Sequence, residues 1–260
     1  MALKVSSQMA KDLADRTNLR QLVQNGRIQI YSGTQPVSAD TASNGTLLAT
    51  ITTSSGVFTA ATLPQWQFTI SGTSGSIDSV KVGGLEILGS TINFTTDLTT
   101  IAAAVASAIN NFYSLVDYTA TSSSATVTIV GPQNSGTALN PLTLTVTATT
   151  LVATPANSGS PTTSGVATVN GLLFTFPANA SGYVSKSGTW TGTGVATGTA
   201  AWFRYLCDGA DAGNSATTTY RRFDGSITIA GGSGDATLTN TAVTSGQSVT
   251  VSSFDMYIQQ

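Results

Sequence analysis

From Arg27 onward most of the chain falls into short apolar or β-branched segments separated by glycine-containing turns, a pattern that confines it to a few all-β architectures. Ile28 and Ile30 alternate with Gln29 and Tyr31 ahead of a loop at 33–36. Asn44-Gly45 then introduces a second strand at 46–52, and 56–59 reads as the start of a third. In the last third, 200–207, 220–229, 236–238 and 248–258 are rich in β-branched and aromatic residues, with Gly209, Gly213, Gly231-Gly232 and Gly246 between them. This spacing predicts a mainly β fold, an antiparallel sandwich or barrel.

Two stretches break the pattern. The first 27 positions carry Lys4, Lys11, Arg16, Arg20 and Arg27, half of all the basic residues, and no proline. At 100° per residue, Ala2, Val5, Met9, Leu13, Leu19 and Val23 fall within about 120° of one another, the stripe of an amphipathic helix. Asn25-Gly26 supplies the stop. An isolated helix of this length is marginal in water, so the stripe must be covered, either by the chain's own β domain or by a neighbouring subunit. On the second reading Val5, Met9, Leu13, Leu19 and Val23 form the partner interface.

The other exception runs from 64 to 164. Strands are expected at 66–70, 77–82 and 85–88. A helix follows in which Leu98, Ile101, Val105, Ala108, Ile109 and Phe112 keep i, i+3, i+4 spacing. Thr95 or Thr96 is the expected N-cap, with Asp97 complementing the helix dipole. Further strands are expected at 117–121, 125–130 and 142–149, and 155–164 reads as a return linker. The prediction is a β-β-α-β-β module at 64–164, inserted into an outer β domain made of 1–63 and 165–260.

Charged residues are 8% of the chain against an ordinary ~25%. The missing polarity comes from 31 serines and 45 threonines, so the surface is wetted by hydroxyls. A net charge of −2 supplies too weak a field for generic binding to nucleic acid or to a membrane surface. With no histidine, imidazole bases, Ser-His-Asp and Cys-His nucleophile systems and His-ligated metals are excluded. The single cysteine, Cys207, forms no intrachain disulfide. No window approaches a membrane span, and 1–24 has no signal-peptide pattern, so synthesis in the cytoplasm without export is expected.

The remaining motifs carry bland readings. Asp208, Asp211 and Asn214 are oxygen donors at short spacing, but they lack the ligand positions of a calcium loop and are read as a turn. Glu86 is the only glutamate and has no obvious acidic partner. The glycines at 192–194 and 231–234 lack the lysine and strand-to-helix context of a phosphate loop, and are read as turns. Arg221-Arg222, between Tyr220 and Phe223, read as a solvated strand or an intersubunit ion pair. Trp66, Trp190 and Trp202 read as core, not as a sugar platform. No catalytic set, cofactor or metal is expected.

The stretches RIQIYSGTQP (27–36), GTLLATI (45–51), GTAAWFR (198–204), DGS (224–226), TLTNT (237–241) and GQSVTVSSF (246–254) together resemble a family of small structural proteins of tailed bacteriophages. In that family the N-terminal block is soon followed by the C-terminal block, which marks 64–164 as an insertion. The inserted unit itself resembles modules of phage surface and tail-associated proteins. The resemblance implies a non-enzymatic virion component: an exterior head, neck, collar, fibre or decoration protein. The alternatives are a tail-associated protein or an adhesin-like module contacting a host-surface glycan. Other virion proteins are the implied partners. A homo-oligomer is expected because so few charges leave sheet edges poorly guarded.

Overall fold

The computed structural model describes residues 3–15, 19–112, 116–175, 183–207 and 209–257. The chain divides into two compact units, one made of Met1–Ala60 with Thr168–Gln260 and the other of Ala61–Ala167.

The first unit is a barrel. Its strands are β1 (Arg27–Tyr31), β2 (Leu47–Thr53), β3 (Trp190–Thr193), β4 (Trp202–Leu206), β5 (Arg222–Ile229), β6 (Ala236–Leu238) and β7 (Ser248–Tyr257). They hydrogen-bond in the order β5-β4-β1-β2-β3-β7-β6, and β6 returns to β5, closing a ring of seven. A ring with an odd number of strands cannot alternate direction throughout, and β5–β6 is the parallel pair that resolves this. Of the two architectures left open by the sequence, the barrel is the one formed. Where 192–194 was expected to turn, Gly192 lies within β3: a Cβ there would sit 2.1 Å from the Thr50 carbonyl oxygen, so only glycine admits the neighbouring strand.

Alternation sends Phe203, Tyr205, Phe223 and Phe254 into the barrel with Trp190 and Phe174. The Tyr205 and Phe223 rings stack 4.6 Å apart, and the Phe254 centroid lies 5.4 Å from both Trp190 and Phe203. Each such side chain contributes about 1.5–3 kcal/mol by leaving water.

The N-terminal helix differs from expectation. Lys4–Val5 is a short strand on the edge of β5, with Lys4 opposite Asp224 and Val5 opposite Phe223. Two helices follow, α1 (Ser7–Asp15) and α2 (Leu19–Val23), while Ala2 and 16–18 lie outside the described residues. The buried Ser6 caps α1 by accepting the Met9 amide at 3.2 Å, and the Asp40 carboxylate accepts the Ser7 amide at 3.0 Å. Pairing with β5 satisfies the backbone at Lys4–Val5 in the way one more helical turn was expected to. At the far end Asn25 takes the left-handed conformation (φ 65°), and Gly26 is needed for close approach, since a Cβ there would meet the Tyr205 ring at 2.3 Å.

The second unit holds two four-stranded sheets and one long helix. Gln65–Ser71 pairs with Thr126–Val130, which pairs with Thr119–Ser123. Ser76–Val82 pairs with Leu144–Thr149, Leu85–Glu86 and Ile92–Asn93. Helix α3 (Leu98–Asn111) buries Ile101, Val105 and Ile109 with Trp66, Phe68, Val80 and Val127. Its N-cap is Asp97, not Thr95 or Thr96: the carboxylate accepts the Thr100 amide at 2.8 Å, and an anion suits the positive end of the helix better than a hydroxyl. Two loop expectations also change. Val152–Pro155, partly inside the expected linker, is a strand on the edge of Gln65–Ser71, and the Thr162 amide bonds the Gln65 carbonyl. Conversely, 56–59 makes no strand beyond a single bridge from Thr59 to Val169.

Each unit has its own core, so excising 61–167 and joining Ala60 to Thr168 through a short Gly/Ser linker is expected to leave a cooperatively folding barrel. Near-ultraviolet circular dichroism from Trp190 and Trp202 reads this directly. A product without that signal contradicts the independence of the barrel.

Candidate functional site

The expected partner stripe is divided by the structure. Met9 (1% exposed) and Val23 (0%) belong to the barrel core, and Leu19 packs against it. Val5 (41%) and Leu13 (39%) keep exposed side chains. The stripe is thus largely covered by its own domain, and what it leaves for another molecule is Val5 and Leu13. Val37 is also exposed, next to Pro36, whose carbonyl accepts from Lys4 Nζ at 2.6 Å.

The densest polar arrangement lies on the outer face of β1, β4 and β5. Outward alternation places Gln29, Arg204, Arg222 and Asp224 there, where the 209–215 loop covers them. Arg204 Nε and Nη2 donate to the two Asp224 oxygens at 2.8 and 2.7 Å, with both side chains fully buried. Arg222 makes the same fork to Asp211 at 2.5 Å, again buried on both sides. The remaining guanidinium hydrogens hold the loop: Arg204 Nη1 donates to the Gly213 carbonyl and Arg222 Nη1 to that of Ser215, each at 2.8 Å. Gln29 Nε2 reaches the Ala212 carbonyl at 3.0 Å, and Arg27 bonds the carbonyls of Gly209 and Asp211.

This overturns the reading of Arg221-Arg222 as a solvated strand or intersubunit pair. Arg222 is buried against Asp211, and Arg221 pairs with Asp12 of α1 in the same chain. Asp211 fits the turn reading, accepting the Gly213 amide at 2.8 Å, and its remaining bonds come from the Arg222 fork and not from a metal cation. Asn214 accepts from Ser215 Oγ, and Asp208 lies outside the described residues. An arginine cannot be deprotonated in a protein, so the network does structural work: it fixes a loop and the N-terminal arm to the barrel. One signal in the sequence pointed to it, the arginine in the otherwise apolar strand Trp202–Leu206.

Burial pushes the Asp224 carboxyl above its usual range, against the hydrogen bonds and charges of Arg204, Arg222 and Lys4. Glu86 behaves oppositely. Burial again raises its carboxyl, but bonds from Ser79 Oγ and from the Leu88 and Val80 amides, with the charge of Lys81, outweigh it and hold it low. Glu86 is a fastening between strands, not half of an acid pair. Trp66, Trp190 and Trp202 are all fully buried, so none offers a sugar platform.

A cavity of about 340 Å³ opens on the barrel where β6 meets β7, lined by the 232–234 loop with Asp235, Thr237, Ser253 and Asp255. Thr237 and Ser253 are cross-strand partners whose hydroxyls bond at 2.7 Å. Asp235 accepts from the Ser226 amide and hydroxyl, both at 2.7 Å. Among the described residues no third acid, cysteine or histidine joins these two carboxylates.

Compared with known proteins, the chain matches no family model, and no curated protein is similar enough to count as a relative.

Proposed function

We propose that the protein is a non-enzymatic structural component of a tailed-bacteriophage virion, carried on the exterior of the head or neck as a collar, fibre or decoration protein. The observation that carries this reading is where the phage-like stretches lie. Those at 27–36, 45–51, 198–204, 224–226, 237–241 and 246–254 overlap β1, β2, β4, β5, β6 and β7, six of the seven barrel strands, although a separate unit of more than a hundred residues divides them. The barrel is then the particle-bound base and 61–167 the module it presents. Its partners are other virion proteins and further copies of itself, reached through Val5 and Leu13. The seven ring strands leave no free edge between them because the ring closes, so the bare edges that remain are on strands outside it. Mass spectrometry of purified particles of the phage encoding the chain is expected to find it at stoichiometric copy number. Particles that lack it are incompatible with the proposal.

A further inference from the structure

Two sheets end in short strands that carry no charged guard. Thr119–Ser123 is the last strand of its sheet, and Leu173–Thr175 is the last strand of the sheet that contains the barrel. Such an edge presents unpaired N–H and C=O groups, and lysines or other charges are the common protection against pairing with another chain. Both edges fall in the stretch between Asp117 and Lys186, which contains no charged residue.

One residue on each edge nonetheless has both of its outward backbone groups paired. The Ala120 amide donates to Asn110 Oδ1 at 2.8 Å, and its carbonyl accepts from Asn110 Nδ2 at 2.8 Å. On the other edge the backbone of Asn25 and Gly26 bridges Leu172, and the Gln24 side chain extends that bridge by one residue: the Phe174 amide donates to Gln24 Oε1 at 3.2 Å, and its carbonyl accepts from Gln24 Nε2 at 3.2 Å. A carboxamide has the donor and acceptor of a peptide group, so each side chain makes the two bonds that a residue of an incoming strand makes. Asn140 does the same to Gly165, at 2.6 and 2.9 Å, on a connection outside the sheets.

We propose that Asn110 and Gln24 are edge guards, each occupying the place of an incoming strand and keeping its sheet edge closed against a second copy of this chain. The second copy is the occupant that fits. Antiparallel pairing of Thr119–Ser123 with its own symmetry mate needs only the same uncharged edge on both sides, with no charge to repel it and none to be matched. The argument does not depend on the virion reading.

Sedimentation velocity on the full chain tests this. Asn110→Ala is expected to add a concentration-dependent association, raising the mass toward twice that of the wild type. Adding Ser122→Pro is expected to remove it, since alternation points the Ser122 amide outward on the same edge and proline deletes that donor. Hydrogen exchange at Ala120 should be slow in the wild type and fast in dilute Asn110→Ala. A folded Asn110→Ala protein with the wild-type mass overturns the proposal, as does association that survives Ser122→Pro. If Asn110→Ala loses the near-ultraviolet signal of Trp66, the Gln24→Ala variant decides on the barrel side: a folded Gln24→Ala protein with the wild-type mass overturns the proposal.

Discussion

Replacing Asp224 by alanine is expected to cost the barrel about 3–5 kcal/mol, because it leaves the fully buried Arg204 guanidinium without its counter-charge. For a unit of this size the fall in Tm is roughly 10 °C or more. The pair itself need not be stabilising. Since burial raises the Asp224 carboxyl, the native state holds that proton more tightly than the unfolded chain does. The stability the group contributes is therefore fully present below the unfolded pKa and is lost as pH rises through the raised folded pKa. At neutral pH the ionised form is a net cost, so Arg204→Met with Asp224→Leu is expected to recover most of the loss. The remainder is the Gly213 carbonyl, which loses its donor at about 1 kcal/mol. Chemical denaturation of the three proteins checks both statements. A loss below ~1 kcal/mol in Asp224→Ala means that water reaches Arg204 and the pair is not dry.

The local elements were legible in the sequence because their signals are local. Helix α3 was expected to end near Phe112 and runs from Leu98 to Asn111, its apolar spacing having no competitor. Most strands of the barrel show the period-two pattern directly, and the unit boundaries at 60/61 and 167/168 lie close to the expected 63/64 and 164/165. What was not legible depends on partners distant in the chain. Barrel closure rests on the parallel pairing of Ile227–Ile229 with Ala236–Leu238, and no periodicity marks a parallel contact between two segments so close in the chain. Strand β3 was hidden by Gly192, which reads as a turn until β2 is placed beside it. The ion pairs of Arg204 and Arg222 were hidden because their acids lie on another strand and in a loop. The amide guards pair residues 10 and 150 positions apart and have no composition of their own. At the N-terminus the helical stripe was real in part: Met9 and Val23 do share a buried face, but Val5 follows the β5 edge instead.

That division of the stripe separates folding from attachment, which a single double mutant at Met9 and Leu13 cannot do. Met9→Asp puts a carboxylate at a site 1% exposed in the barrel core, so it is expected to cost about 3–5 kcal/mol, from lost packing and an unpaired buried charge. Its effect on assembly would only report unfolding. Leu13→Asp is placed at a position 39% exposed on α1, two residues before the helix ends at Asp15, and is expected to change stability by no more than ~1 kcal/mol. It should still lower particle occupancy or self-association, because it sets a charge in the apolar patch left to a partner. Measuring Tm and occupancy on the same preparations distinguishes the two residues. If Leu13→Asp matches the wild type in both, α1 serves only the packing of its own barrel, and the proposed contact through Leu13 is refuted.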